Sequence, residues 1–238
     1  MQPTYIPWIG YFDLLDMSDI FVLYDDVQLA KRSWQVRNRL KSSNGEIWLT
    51  LPVKKTASRS DLLIMNAFLN NDEKWKKSHL KTIEMSYSKT PYFRQLFDLL
   101  EPIYNKAVRV SELNIEIIEL VHKKMNFNTE LIRSSSLDGV KGNKDVRLVD
   151  ICKKLSVDEY LSPQGSADYI NEDIIGGEFV KNGIELSYHA YNHPSYEQLH
   201  SDFIPYLGIF DLLFNHGFEE SLRIIRSGRQ QKINFNEL

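Results

Sequence analysis

The feature that most constrains this chain is an alternation: short apolar runs of strand length stand between longer segments with helical periodicity. Ile20-Phe21-Val22-Leu23-Tyr24 is such a run; it ends at Asp25-Asp26 and follows a short apolar helix expected over Trp8 to Leu15. Glu130 to Ser134, Glu159 to Ser162 and Ile184 to Tyr191 read as further strands, with a helix over Lys144 to Leu155 among them. The strand from Ile184 alternates apolar Leu186 and Tyr188 with polar Ser187 and His189, which predicts one wet face near a sheet edge. Asn44-Gly45 is a hairpin dipeptide leading into a strand over Ile47 to Leu51, halted by Pro52.

The middle of the chain predicts three consecutive helices. The first starts at Asn71-Asp72-Glu73 and repeats Trp75, His79, Ile83 and Tyr87 at spacing four; the second starts at Thr90-Pro91 and runs until Pro102 breaks or kinks it; Ser111 caps the third. Near the end, a helix around Ile209 to Phe214 stops at Gly217, and another covers Glu219 to Ile225. The expected fold is therefore α/β: a mostly parallel, Rossmann-like sheet with helices on both faces and an inserted helical layer at about 71–127. No linker or internal period divides the chain, so a single domain over 1–238 is expected. Ligands of such sheets sit at the carboxyl ends of the strands.

Basic and acidic side chains nearly cancel, 29 against 32, so no global field draws the protein to nucleic acid or an anionic membrane. No run approaches the ~20 apolar residues of a membrane span. The opening Met1-Gln2-Pro3 is not a basic segment leading into an apolar one, and the single Cys152 sits on an inward stripe, so a cytoplasmic protein is expected.

Four stretches could carry chemistry. Gln2-Pro3-Thr4-Tyr5-Ile6-Pro7-Trp8 with Tyr11 is a proline-stiffened loop ahead of a helix; it either presents N–H groups to an anion or packs aromatics into the core. Of Asp25 and Asp26, neighbours on an extended strand, only one should face a cleft, where it would serve as a general base; otherwise it is a turn residue. Lys31 to Lys41 carries the densest basic run, with Arg37 and Arg39 suited to a diphosphate and Trp34 to a base or sugar ring; as readily, it is a solvated loop folded back on the two aspartates. His79 lies on an apolar helix face, as a hydrogen-bonded core residue or a catalytic one. His189 and His193 are four apart on a strand running into a proline turn, so zinc spacing does not apply, and no metal site is expected.

Together these stretches resemble the WbqC-like family of bacterial proteins, often encoded among genes for O-antigen, lipopolysaccharide and other surface polysaccharides. The resemblance rests on Gln2-Pro3, Tyr5, Pro7-Trp8 and Gly10-Tyr11-Phe12; on Asp25-Asp26-Val27-Gln28; on Trp34 with Arg37-Asn38-Arg39; on Trp75 and His79; and on Tyr196, Gln198, Asp202 to Pro205 and Asp211 to Asn215. Members carry a short apolar strand ahead of the Gln-Pro pair, so the resemblance implies a first strand that is missing here or supplied differently. Family members tend toward Ser-Gly-x-Gly where this chain has Ser162-Pro163-Gln164-Gly165, which puts a backbone role for that turn in doubt. The opening is also similar to that of the nucleotidyltransferase and pantothenate-synthetase superfamily, without its paired histidines.

What the resemblance implies is a transferase that attaches a small acyl or aminoacyl group, glycyl among the candidates, to the amino group of a nucleotide-linked deoxyamino sugar. The implied partners are that sugar and an acyl or aminoacyl donor of unknown identity, with no covalently bound cofactor. Asp25, Asp26 or His79 would take the ammonium proton. Arg37 and Arg39 would hold the diphosphate, and Trp8 and Trp34 would form apolar walls. Asn38 would bond a ring hydroxyl, and Gln2, Tyr5, Tyr11 and Gln28 would complete the binding set. The alternatives are a non-catalytic accessory protein that binds a sugar nucleotide or glycan, and an aminoacyl-tRNA-dependent transferase in which Lys31 to Lys41 meets the tRNA acceptor end.

Overall fold

A computed structural model describes residues 1–30, 32–55, 62–70, 72–172, 174–200 and 202–237. Lys31 of the basic run and Asn71 of the expected helix start lie outside the described residues. The fold is mixed α/β. After the opening loop come α1 (Ile9–Asp16) and β1 (Ile20–Leu23), then a hairpin of β2 (Arg37–Ser42) and β3 (Gly45–Thr50). The helical layer is α2 (Lys74–Tyr87), α3 (Phe93–Lys106) and α4 (Val110–Lys124). The chain continues through β4 (Glu130–Arg133), α5 (Lys144–Lys154), β5 (Glu159–Pro163), the short α6 (Ala167–Ile170) and α7 (Gly177–Lys181), β6 (Glu185–His189), α8 (Phe210–Ser227) and β7 (Ile233–Asn234).

The strands do not join into the one sheet expected. β1 pairs with β4 in parallel, β2 with β3 antiparallel, and β6 lies between β5 (parallel) and β7 (antiparallel), giving three small sheets among the described residues. β5 runs in the same direction as β1, because α5 begins beside the carboxyl end of β1, where Arg147 meets Asp26, and leads down to the amino end of β5. The two parallel pairs are held apart by a cleft, and the apolar groups gather in two cores. The larger takes the opening loop, α1 to α4, both small sheets before α5, and α8; the smaller takes α5, α6, α7, β5, β6 and β7.

Four local expectations are corrected by packing. The basic stretch Arg37–Ser42 is a strand, not a loop: Asn38 and Leu40 turn inward while Arg37 and Arg39 are half-buried on the other face, and the turn closes with Ser42 opposite Gly45, whose φ of 95° suits glycine. β6 is the middle strand of its sheet rather than near an edge, and its wet face is absent: Ser187 and His189 are buried, the latter bonded to Asp13 of α1. α3 passes through Pro102, because that residue is exposed and solvent can take the carbonyl whose N–H partner the ring removes. Ser111 lies inside the first turn of α4, fully buried, and Arg109 stands at its N-cap.

Candidate functional site

The cleft between the two cores has a volume of about 1060 Å³ and runs the length of β1 and β5. Its carboxyl-end mouth is polar. Gln2 and Thr4 of the opening loop, Tyr24, Asp26 and Gln28 after β1, Asn143 and Arg147 at the start of α5, and Ser166 and Tyr169 after β5 line it. This is the position at which open parallel sheets present loops to ligands.

Asp25 and Asp26 divide as strand geometry requires. Asp25 is fully buried and saturated: its carboxylate accepts from Arg133 Nε and Nη2 at 2.8 and 2.6 Å, from the Ser135 N–H at 3.1 Å and from the Ser135 hydroxyl at 3.0 Å. Such a carboxylate locks β1 to β4. Asp26 lines the cleft, accepting from Ser134 Oγ at 2.6 Å and from Arg147 Nη2 at 2.5 Å, with its side chain 16% exposed. The Asp26–Arg147 pair joins the larger core to the smaller at the cleft mouth. Arg147 also lies with its guanidinium 5.6 Å from the Tyr24 ring centroid, so cation, carboxylate and phenol share one corner. Burial, with the Asp26 charge adding to it, pushes the Tyr24 hydroxyl above its ordinary range.

The other expected residues lie elsewhere. Tyr5 and His79 form a buried cluster with Tyr104: the Tyr5 hydroxyl is 2.9 Å from His79 Nδ1 and 2.6 Å from the Tyr104 hydroxyl, and Trp75 meets the imidazole edge-on. Burial lowers the His79 pKa to about 4, so the ring is neutral at neutral pH. Tyr11 is buried among Phe12 and Phe21. The Asn38 amide donates to the carbonyls of Tyr5 and Ile6 at 3.1 and 2.6 Å, holding the opening loop in place, Ile6 at a φ of 47° included. Gln2 lines the cleft and accepts from Gln35 Nε2 at 2.7 Å. Of the expected set, the cleft brings together Gln2, Asp26 and Gln28.

A second constellation lies on the outer face of the hairpin. Trp34 and Trp48 stack at 5.6 Å and 24°, both about half exposed, with the Arg37 guanidinium 4.7 Å over the Trp48 ring. Arg39 is bonded to Glu46 and donates to the Tyr206 carbonyl at 3.0 Å, while Trp8 packs against the Tyr206 ring at 5.6 Å and against His193. Trp8 also covers Gly10 so closely that a Cβ there would come within 2.3 Å of the indole. Arg37, Arg39, Trp34 and Trp8 thus share an aromatic face bridged by Tyr206, but none of them lines the cleft.

Sequence reasoning missed Arg147, Tyr24, Tyr169 and Trp48. Trp48 was within reach, since the Asn44-Gly45 turn sets the register that places it opposite Arg39. Arg147 carries no local signal: its role depends on α5 docking beside β1. Among the described residues no group of His, Cys, Asp and Glu could hold a metal ion, and no helix is long and apolar enough to cross a membrane.

The profile of the WbqC-like protein family matches residues 2–223 of this chain. The uncharacterized protein Rv1507c of Mycobacterium tuberculosis (strain ATCC 25618 / H37Rv) is 34% identical over 222 residues, covering 92% of this chain and 93% of the relative. No solved structure matches significantly.

Proposed function

The chain belongs to the WbqC-like protein family, and from that premise we propose that it is a transferase placing a small acyl or aminoacyl group on the amino group of a nucleotide-linked deoxyamino sugar in surface-polysaccharide synthesis. The observation that supports this reading best is the Asp26–Arg147 pair at the mouth of the cleft. Arg147 offers a guanidinium to a diphosphate, Gln2 and Gln28 offer amides to ring hydroxyls, and Tyr24 and Tyr169 offer aromatic walls. An ammonium must lose its proton before it can attack, and in this reading Asp26, the carboxylate that lines the cleft mouth, accepts it. The neutral amine then bonds to the carbonyl carbon of a thioester or aminoacyl ester. The tetrahedral adduct collapses with departure of the thiolate or alkoxide, which takes up a proton, and no covalent enzyme intermediate is needed.

The test is incubation with a panel of nucleotide-linked amino sugars and acyl or aminoacyl donors, read by mass spectrometry for a heavier sugar nucleotide. Asp26→Asn, which keeps an acceptor for Ser134, is expected to lower turnover at least ~100-fold while the protein stays folded. A panel with no product, or an Asp26→Asn enzyme with undiminished turnover, overturns the reading. The exposed indole pair favours a second reading, a sugar-nucleotide or glycan-binding protein without catalysis, in which sugar faces lie on Trp34 and Trp48. It predicts quenched tryptophan emission on adding the ligand, lost in Trp48→Ala and kept in Asp26→Asn.

A further inference from the structure

Two adjacent aspartates each take an arginine, and the two pairs are built differently. Arg133 grips Asp25 through both Nε and Nη2, and the Ser135 N–H and hydroxyl complete a carboxylate that is fully buried. Arg147 meets Asp26 through a single bond, Nη2 to Oδ2 at 2.5 Å. Its Nε is buried and finds no acceptor among the described residues, so one donor of the guanidinium fork is idle. A buried N–H without a partner is destabilising, and a ligand that engages Nε and Nη2 together relieves it.

The pairs differ in access and in anchoring as well. The side chains of Asp26 and Arg147 are 16% and 18% exposed, and both line the cleft mouth. Asp26 is fixed from behind: Ser134 Oγ donates to its Oδ1 at 2.6 Å, and the neighbouring Asp25 ties the same stretch of chain to the residues after β4. Arg147 is the fourth residue of α5, across the cleft, and reaches Asp26 on a long stem with many rotamers. When a ligand competes for the pair, the arginine is the member that moves. A phosphoryl group fits this donor best, because its oxygens accept two parallel N–H bonds and it carries negative charge.

We propose that Arg147 is an exchangeable cation: the diphosphate of a nucleotide-linked substrate takes it from Asp26, so that Oδ2 of the carboxylate is freed only once the nucleotide is in place. The exchange rests on the transferase reading above for the task given to Asp26, and it adds an order of events. In the empty cleft both carboxylate oxygens are engaged, Oδ1 by Ser134 and Oδ2 by Arg147. Arrival of the diphosphate leaves Ser134 holding Oδ1 and turns Oδ2 over to the ammonium proton. Binding energy from a part of the substrate remote from the reacting amine thus assembles the base, and an amino sugar without its nucleotide leaves Arg147 where it is.

The experiment is a calorimetric titration with pyrophosphate, at constant ionic strength, of the unaltered chain and three variants whose folding is checked by circular dichroism. Asp26→Asn is expected to bind at least ~5-fold tighter, because a neutral amide competes less for Arg147 and no longer repels the anion. An ion pair with a purely structural role predicts the opposite sign, since its loss loosens the mouth. Arg147→Lys keeps a cation beside Asp26 but cannot fork, and should bind at least ~5-fold more weakly. Arg94→Gln, an exposed position on α3 outside the cleft lining, should bind as the unaltered chain does. Equal or weaker binding by a folded Asp26→Asn chain, no binding by any form, or a loss in Arg94→Gln matching that in Arg147→Lys overturns the exchange. Should Asp26→Asn not fold, Arg147→Lys decides alone, and undiminished binding overturns it. A product from the amino-sugar panel alongside any of these failures leaves the transfer reading standing with its phosphate site elsewhere. Tighter binding by Asp26→Asn with no product from the panel keeps the exchange and removes the transfer.

Discussion

His79 and Asp211 show how burial can outweigh hydrogen bonds in setting the behaviour of a side chain. His79 titrates near 6.5 when unfolded and near 4 when folded, so its contribution to stability is full above about pH 6.5 and is lost as pH falls toward 4. The loss is on the order of 3 kcal/mol. Asp211, which accepts from Tyr87 and Tyr196, has its pKa raised by burial to about 6, so its contribution is full below the unfolded value and is lost as pH rises through 6. The two oppose each other across one window, and substitution separates them. Urea denaturation at pH 7 and pH 4.5 should show a smaller acid loss in His79→Asn than in the unaltered chain; equal losses would assign the acid sensitivity to other groups. Asn38 belongs at this scale too. Its sequence position suited a sugar hydroxyl, yet the amide is spent on two loop carbonyls, a distinction that only the packed opening loop reveals. Asn38→Ala leaves those buried carbonyls unpaired and should cost about 2 kcal/mol in chemical denaturation.

Among the elements, those with strong local patterns were legible: α1, β1, the three helices of the middle layer, α5 and β5 lie within a few residues of where periodicity puts them. β2 was not legible, because its inward residues are Asn38 and Leu40 and its outward ones cations, a strand period hidden by a polar inner position. Gly217 was read as the stop between two helices, and it is one: the residue is non-helical, φ 69° and ψ −175°, and the two helical halves of α8 meet there at a sharp bend. That conformation is essentially reserved for glycine, and the Tyr92 ring lies against the position, 2.7 Å from where a Cβ would stand. Gly217→Ala should therefore lower unfolding free energy by about 2 kcal/mol, measurable by denaturation. An unchanged midpoint would mean that Tyr92 swings away and the bend relaxes.

Across the whole molecule, the sequence conveyed the class of fold but not its division. Alternating strands and helices imply crossover units; they do not say that β1 and β5 stand apart, because that separation depends on contacts far apart in the chain. At the seam between the cores, ionic and polar contacts are prominent: Asp26 with Arg147, and Asp13 with His189. The smaller core, around Val149, Phe179, Leu186 and Tyr188, has few apolar groups to resist opening. Native-state hydrogen exchange should find β5, β6 and α5 opening at lower free energy than α1 and α4; a single uniform opening energy would mean that the two cores unfold together. The indole pair on the hairpin carries its own optical consequence. Two indole rings with centroids 5.6 Å apart and planes inclined at 24° lie close enough for their transitions to couple, so circular dichroism in the indole bands should carry a coupling signal that vanishes when either ring is replaced by phenylalanine.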